Sequence, residues 1–489
     1  MILTVVLVPA AAALLGLLMR SDPARRRLLV LAAVAHSALV VRWWFDRPPS
    51  LFGGWLAVDA LGLLVLSIAS GLFLAAAVYA AGYLQREGQG ARADLFERGR
   101  FFRNEPEAVF VASLLLFLAA MSLAAVSHHF GLLWVAIEAT TLTSAPLIYF
   151  HRHQRSLEAT WKYLLIGSVG IAVALLGTFF LIASATSAGT RVPALVEDFV
   201  GNGGVLDETW LKAAFIAFLV GYGTKMGLAP MHSWLPDAHS EAPSVVSALL
   251  SGALLNTAFL GILRLFQVML AAGLGAYARE LLLLFGFVSM FVAAAFIIAQ
   301  SDYKRMLAYS SVEHMGILAI GVGIGGGAAF GAMLHAVNHS VAKALLFLVA
   351  GNILALYRTK DVREVSGLAR LLPVSGALWL IGFLAITGTP PFGAFLSEFT
   401  ILRAAIEGGR WLVSAGYLAL LAVVFVGMAV TFLRMSQGPA DRPRPTMRES
   451  LFEIGPPAAL AVVALLLGLS VPPGLSALAH EAARALGGV

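Results

Sequence analysis

Apolar runs of about 17 to 25 residues, the length a helix needs to cross a bilayer, recur about fourteen times along this chain. They lie near Ile2 to Met19, Leu28 to Phe45, Leu61 to Leu84, Ala108 to Val126, Phe130 to Phe150, Ala159 to Ala183, Trp210 to Pro230, Pro243 to Phe266, Leu281 to Gln300, Met306 to Gly323, Ala328 to Tyr357, Leu371 to Phe399, Trp411 to Met435 and Ile454 to Val471. In hydrocarbon such runs satisfy their own backbone as helices, so the expected fold is an all-α polytopic membrane protein. The 12% share of charged residues is about half that of an average soluble domain. The first run has no basic segment before it and ends at Arg20 rather than at a small-residue cleavage site, which predicts a retained span.

Cations in short loops mark the cytoplasmic face of such a protein. Loops after the odd-numbered runs hold 21 of the 33 lysines and arginines, among them Arg25 to Arg27, Arg98, Arg100, Arg152, Arg305, Lys360, Arg442, Arg444 and Arg448. The opposite side holds 8, including Arg191 and Arg264. Both termini are therefore expected outside, with an even number of spans. Arginine-rich inner loops also account for the net charge of +6 without any nucleic-acid partner.

With no cysteine, the chain builds no disulfide, iron–sulfur cluster or thiolate-held metal. It has no Walker loop and no dinucleotide fingerprint after a strand, and the glycines of Gly321 to Gly327 read as a short loop. Electron and nucleotide chemistry must come from elsewhere.

Two runs are broken. In WLKAAFIAFLVGYGTKMGLAPMHSWLPDAHSEAP, from Trp210 to Pro243, Lys225 precedes Gly227 and Pro230, and a polar turn follows. In LAITGTPPFGAFLSEFTIL, from Leu384 to Leu402, Gly388, Pro390 and Pro391 interrupt the run and Glu398 follows. An ionisable group in hydrocarbon is costly, and a broken helix carrying one in each half of a chain points to an ion path.

The cations inside apolar runs are Lys162, Lys212, Lys225 and Lys343, every one a lysine. Arginine does not deprotonate in a protein, whereas a desolvated lysine takes and releases protons near neutrality. That favours proton handling. Lys212 reads as snorkelling to the interface, Lys162 equally as snorkelling or relay, and Lys225 and Lys343 lie too deep for it.

Glu138 sits mid-run, and Lys225 is its natural partner; neighbouring hydroxyls at Thr140, Thr141, Thr143 and Ser144 offer a purely structural alternative. His335, His339 and Lys343, four apart, form one helical stripe suited to relaying protons. Zinc is the rival reading of that histidine pair, but no HExxH glutamate adjoins it and no third ligand is evident, so no metal is expected. His314, beside Glu313, serves either in the relay or in packing with a local hydrogen bond. His128, His129, His151 and His153 read as interfacial. Asp237, His239 and Glu241 are either a cytoplasmic proton intake or part of a cap, with Ser240 or Ser244 as N-cap of the next helix.

The motifs GLLWVAIEATTL, TKMGLAPMHSWLPDAHSEAPSVVSALLSG, SDYKRMLAYSSVEHMG, HAVNHSVAKALLFLVAG and GTPPFGAFLSEF resemble the antiporter-like subunits shared by respiratory complex I (L, M and N types), multi-subunit cation/proton antiporters and membrane-bound hydrogenases. VSALLSGALLNTAFLGILR and YSSVEHMG resemble the F-type membrane subunits of hydrogenase-4 and formate hydrogenlyases. The resemblance implies about fourteen spans with two inverted five-helix repeats and broken helices seven and twelve. Residues 1–106 would hold spans one to three, 107–268 the first repeat, 269–435 the second, and 436–489 a cytoplasmic loop and span fourteen. It makes Glu138, Lys225, His335, His339, Lys343 and Glu398 the proton relay. Because the sequence stops soon after the fourteenth run, the long lateral helix of L-type subunits is expected to be lacking. One position departs: complex I subunits carry lysine or histidine in the eighth span where this chain has Asn256. Asparagine holds no proton, so the link there runs through water or another side chain, or transport is altered.

The function implied is redox-driven proton translocation in the inner membrane. Other membrane subunits and a peripheral redox module would be partners, and they would hold the iron–sulfur clusters and a nickel–iron centre or quinone. Sodium is the alternative ion. The alternative functions are a D-type subunit of a multi-subunit sodium/proton antiporter and a non-pumping scaffold.

Overall fold

The computed structural model describes residues 2–87, 92–93, 101–189, 192–438 and 449–488. Of the loop arginines named above, Arg98, Arg100, Arg191, Arg442, Arg444 and Arg448 lie outside the described residues.

In chain order the α-helices are α1 (Thr4–Leu18), α2 (Asp22–Trp43), α3 (Ala60–Glu87), α4 (Glu107–Val126), α5 (Phe130–Ile148), α6 (Gln154–Ser187), α7 (Val196–Gly201), α8 (Glu208–Met226), α9 (Trp234–Glu241), α10 (Ser244–Leu249), α11 (Leu255–Ala271), α12 (Gly275–Ile297), α13 (Tyr303–Ile324), α14 (Gly327–Tyr357), α15 (Leu368–Leu371), α16 (Pro373–Ile386), α17 (Gly393–Glu407), α18 (Trp411–Gln437), α19 (Leu451–Leu469) and α20 (Pro473–Arg484). Strand pairing is confined to Arg92–Ala93 against Phe101–Phe102 and a few isolated bridges, among the described residues. Among the described residues, eleven helices are long and apolar enough to cross a membrane, with α8–α9 and α10–α11 each counted as one. The other three expected runs fall on α1, of 15 residues, on α2, whose first turns hold Asp22 and Arg25 to Arg27, and on the interrupted pair α16–α17.

Local sequence sets the helix starts. Asp207 accepts from the Thr209 and Trp210 amides, Asp302 from those of Lys304 and Arg305, and Ser450 with Glu453 forms a capping box on α19. The stretch after the first break, expected as a polar turn, is instead the two-turn helix α9; Pro236 sits in its first turn, where no amide partner is lost. The capping role weighed for Ser240 and Ser244 is corrected too. Pro243 precedes α10 without a side-chain cap, Ser240 Oγ donates to Asp302 at 2.6 Å, and Ser244 Oγ has no hydrogen-bond partner among the described residues. A π-turn at Leu250–Leu254 joins α10 to α11.

Helix α14 is the central post, touching α3, α10, α13, α16, α17, α19 and α20. It is apolar around its whole circumference apart from a few buried polar side chains, the pattern of a helix surrounded by others. The loops with the larger cation set meet at one end, in Arg26–Glu107 at 2.7 Å, Lys360–Glu241 at 3.0 Å, Arg86–Glu453 and Arg152–Glu105. At the other end Arg264 grips Asp59 with two bonds of 2.5 and 2.7 Å, and Arg47 pairs with Glu481 of α20 at 2.7 Å. That amphipathic helix was not anticipated from the hydropathy runs.

Candidate functional site

The first break ends α8 at Gly227, whose φ of +85° suits glycine, and a β-carbon there would meet Leu235 at 2.5 Å. Ala229–Pro230 is a cis peptide. The freed backbone is satisfied locally: Trp234 Nε1 donates to Thr224 O at 2.7 Å, and Ser289 of α12 accepts the Ala229 amide at 2.9 Å.

In the last turn before the break Lys225 is fully buried, its Nζ donating to Thr141 Oγ1 at 2.6 Å and Tyr163 OH at 2.7 Å. The ammonium also lies 4.5 Å from the Tyr163 ring centroid, a cation–π contact. Thr141 in turn donates to Glu138 at 3.0 Å, and Ser168 donates to the other carboxylate oxygen at 2.9 Å. The expected direct Glu138–Lys225 pair is therefore corrected to a hydroxyl-bridged one. Thr141 is one turn from Glu138 on α5, so its shorter side chain occupies the gap between the two.

The second break repeats these features. Gly388 has φ +60°, Pro390–Pro391 is cis, and Asn338 Nδ2 donates to Gly393 O at 2.8 Å. A β-carbon on Gly388 would lie 2.0 Å from Glu398 Oε2, so the carboxylate occupies the space that the glycine leaves. Glu398 is 7% exposed, and its Oε1 has no hydrogen-bond partner among the described residues.

Against this break lies the imidazole cluster. His314 Nδ1 is 2.9 Å from His335 Nε2, and His335 Nδ1 is 3.0 Å from Ser397 Oγ. The His314 ring sits 4.9 Å from His339 and 5.0 Å from His335, while His335 and His339 are 6.4 Å apart. His314 thus joins the two histidines of the α14 stripe through ring contacts and its hydrogen bond to His335. Both ring nitrogens of His339 lack hydrogen-bond partners among the described residues. One turn on, Lys343 Nζ donates to Leu307 O at 2.7 Å and to Ser310 Oγ. The statement that no third metal ligand adjoins the histidines is corrected: donor atoms of His314, His335 and Glu398 all lie within 4.8 Å of one another.

Between the breaks, Asn256 Nδ2 donates to Gly252 O and to Ser340 Oγ, each at 2.8 Å. Ser251 and Ser311 hydroxyls meet at 2.8 Å beside it. Neutral polar groups occupy this stretch.

Asp237, His239 and Glu241 are separated by the helical turn of α9. Asp237 binds Lys162 at 3.0 Å and also Arg305; Lys162, 45% exposed, holds Glu158 as well. Glu241 takes Lys360 at 3.0 Å, with His153 at 3.7 Å. His239 is fully buried and stacked on Phe347 at 5.0 Å, and among the described residues neither nitrogen has a hydrogen-bond partner. Lys304, also buried, donates to Ser240 O and Ala242 O at 3.2 and 2.6 Å, holding the carboxyl end of α9.

Four histidines are structural. His129 accepts from the Leu132 amide, His153 from that of Ser156, His151 binds Asn104, and His128 lies 3.6 Å from Asp59. Lys212 pairs with Glu208 at 3.0 Å near the start of α8. Sequence reading missed Tyr163, Ser310, Ser397 and buried Glu313 as site members. A charged residue inside an apolar run announces itself, whereas a hydroxyl there is unremarkable until something donates to it.

Residues 127–425 match the NADH:quinone oxidoreductase/Mrp antiporter transmembrane family. The chain is 39% identical over 368 residues to a hydrogenase-4 component F homolog from Methylacidiphilum infernorum, covering 74% of each. It superposes on a chain of respiratory complex I from Thermus thermophilus with a TM-score of 0.80 and 25% identity, covering 100% of both. On a chain of the Mrp complex from Dietzia the TM-score is 0.85 at 19% identity, covering 99% and 97%, a likeness of fold.

Proposed function

This chain belongs to the NADH:quinone oxidoreductase/Mrp antiporter transmembrane family, and we propose that it is the proton-translocating membrane subunit of a redox-driven complex, of membrane-bound hydrogenase or complex I type. The observation that carries this reading is the succession of titratable groups at the two breaks, from half-buried Glu138, bridged by Thr141 to buried Lys225, on to buried Lys343, His339, His314, His335 and Glu398. An apolar bundle retains such groups at considerable cost, and proton carriage supplies the reason.

In the proposed cycle, Glu138 holds the Lys225 ammonium through the Thr141 hydroxyl. A charge change in a neighbouring subunit draws Glu138 away, and Lys225 gives up its proton toward the centre of the chain. Asn256, Ser340, Ser251 and Ser311 carry no charge, so that segment conducts through hydroxyls and water. Beyond it, Lys343 and the three imidazoles pass a proton to Glu398 and outward. Asp237, Glu241 and Lys162 form the intake end. Each ~100 mV of membrane potential adds about 2.3 kcal/mol per charge moved, which a modest change in pairing supplies.

The remaining architecture follows the same proposal: fourteen spans, repeats over residues 107–268 and 269–435, and both termini outside. The positive-φ glycines at the two breaks, Gly227 and Gly388, support the repeat. A peripheral partner module would hold iron–sulfur clusters, with a nickel–iron centre or quinone. The Mrp-like fold favours one second reading, an antiporter subunit without redox partners.

A mild-detergent purification of the tagged chain, with mass spectrometry and iron analysis of what accompanies it, separates the two. Iron-bearing redox subunits support the proposal, and small membrane subunits without iron support the antiporter. Lys225→Ala in the assembled complex is expected to abolish redox-linked proton uptake; undiminished uptake would refute the relay.

A further inference from the structure

We propose that His314, His335 and Glu398 form a binding site for a zinc-class divalent cation, and that its occupancy displaces the proton from the junction of the relay. Imidazole nitrogen and carboxylate oxygen are the donors that such ions take. The three side chains come from α13, α14 and α17, and their donor atoms converge within 4.8 Å. Zinc–nitrogen bonds of about 2.0 Å set two ligand nitrogens roughly 3.3 Å apart. The 2.9 Å between His314 Nδ1 and His335 Nε2 has to open by only a few tenths of an ångström.

The hydrogen bonds around the cluster fix which nitrogen of His335 is the donor to a metal. Ser397 Oγ gives its own proton to Ala394 O at 2.9 Å and accepts from Asn338 Nδ2 at 3.3 Å. It is therefore an acceptor toward His335 Nδ1 at 3.0 Å. Nδ1 carries the proton, and Nε2 presents its lone pair to the space shared with His314. An imidazole anchored through its far N–H is the usual arrangement behind a metal ligand.

Two further features point into the same place. Glu398 Oε1 is buried without a partner, and both nitrogens of His339, whose ring is 4.9 Å from His314, are unpartnered as well, among the described residues. The fourth position of a four-coordinate ion is left to water or to a reoriented His339. Glu313, whose carboxylate lies 4.0 Å from His314 Nε2, supplies with Glu398 the two negative charges that balance a divalent ion. Lys343, one turn along α14, carries the charge that opposes it. Binding stands on this geometry alone; displacement of the proton rests on the relay proposed above.

Cobalt(II) titrated into the purified full-length chain should give the visible absorption of a four-coordinate nitrogen/oxygen site, bleached by zinc(II). His335→Gln and Glu398→Gln should weaken cobalt binding by about tenfold or more, and Ser397→Ala likewise by freeing the imidazole. Lys343→Met should tighten it, and His151→Gln with His153→Gln, at the far end, should leave it unchanged, each variant being checked for an unaltered size-exclusion profile. Absorption that survives both His335→Gln and Ser397→Ala, or that disappears with the His151 and His153 changes, overturns the site. Zinc that binds in this way yet leaves proton uptake by the complex untouched upholds the site and overturns the relay.

Discussion

Lys225 and Glu138 do not touch: the Thr141 hydroxyl stands between them, accepting from the lysine at 2.6 Å and donating to the carboxylate at 3.0 Å. A carboxylate held this way senses the lysine through a group that rotates, so coupling depends on the hydroxyl as well as on the two charges. Thr141→Val keeps the shape and removes the bridge. Hydrogen bonds to charged groups contribute about 1.5–3 kcal/mol, so proton uptake by vesicles of the assembled complex should fall by about tenfold or more. Thr141→Ser should retain it. Equal uptake by the valine and serine variants would show that the bridge is idle.

Gly388 makes room for Glu398. With φ of +60° and only 2.0 Å between a built β-carbon and Glu398 Oε2, alanine there must push the carboxylate out of the break. Gly388→Ala should lower thermal stability by about 1–3 kcal/mol and remove most proton uptake. Adding Glu398→Asp, which withdraws the carboxylate by one methylene, should restore part of the stability. No gain from the second change would place the carboxylate elsewhere.

His314 stands at the junction between His335 and His339, so His314→Gln should cut proton uptake as deeply as His335→Gln does. His36 provides the control. It is just as buried, bonded to Ser70 and Ser122 at 2.9 Å each, but far from either break. His36→Gln should leave uptake unchanged, and loss there equal to that of His314→Gln would reduce both effects to packing.

Asp59 lies just before α3, outside the spans. Burial alone would push its carboxyl up, but the Arg264 guanidinium and His128 outweigh that and hold it well below the usual carboxylate range. A folded-state value below the unfolded one means stability present above the unfolded value of about 3.9. That stability is lost as pH falls through the folded value. Asp59→Asn should therefore cost about 2 kcal/mol near neutral pH, and its melting temperature should converge on that of the parent protein below pH ~4. A gap that is constant across this range would argue against the Arg264 pairing.

The sequence by itself determined the helical class, the places where spans begin and break, and the charged residues at those breaks. Hydropathy, glycine, proline and a lone lysine in an apolar run are local properties, legible without any neighbour. Lys225 and Glu398 were visible for that reason. Tyr163, 62 positions from Lys225, was not, because a buried hydroxyl gains meaning only from the donor that reaches it. The tertiary structure alone decided that Thr141 parts Glu138 from Lys225. It also brought His314 between two histidines of another helix, isolated His239 from Asp237 and Glu241, and made a helix of an expected turn. Each of these depends on which helix faces lie together, and that is set by packing over the whole bundle rather than by any single stretch of chain.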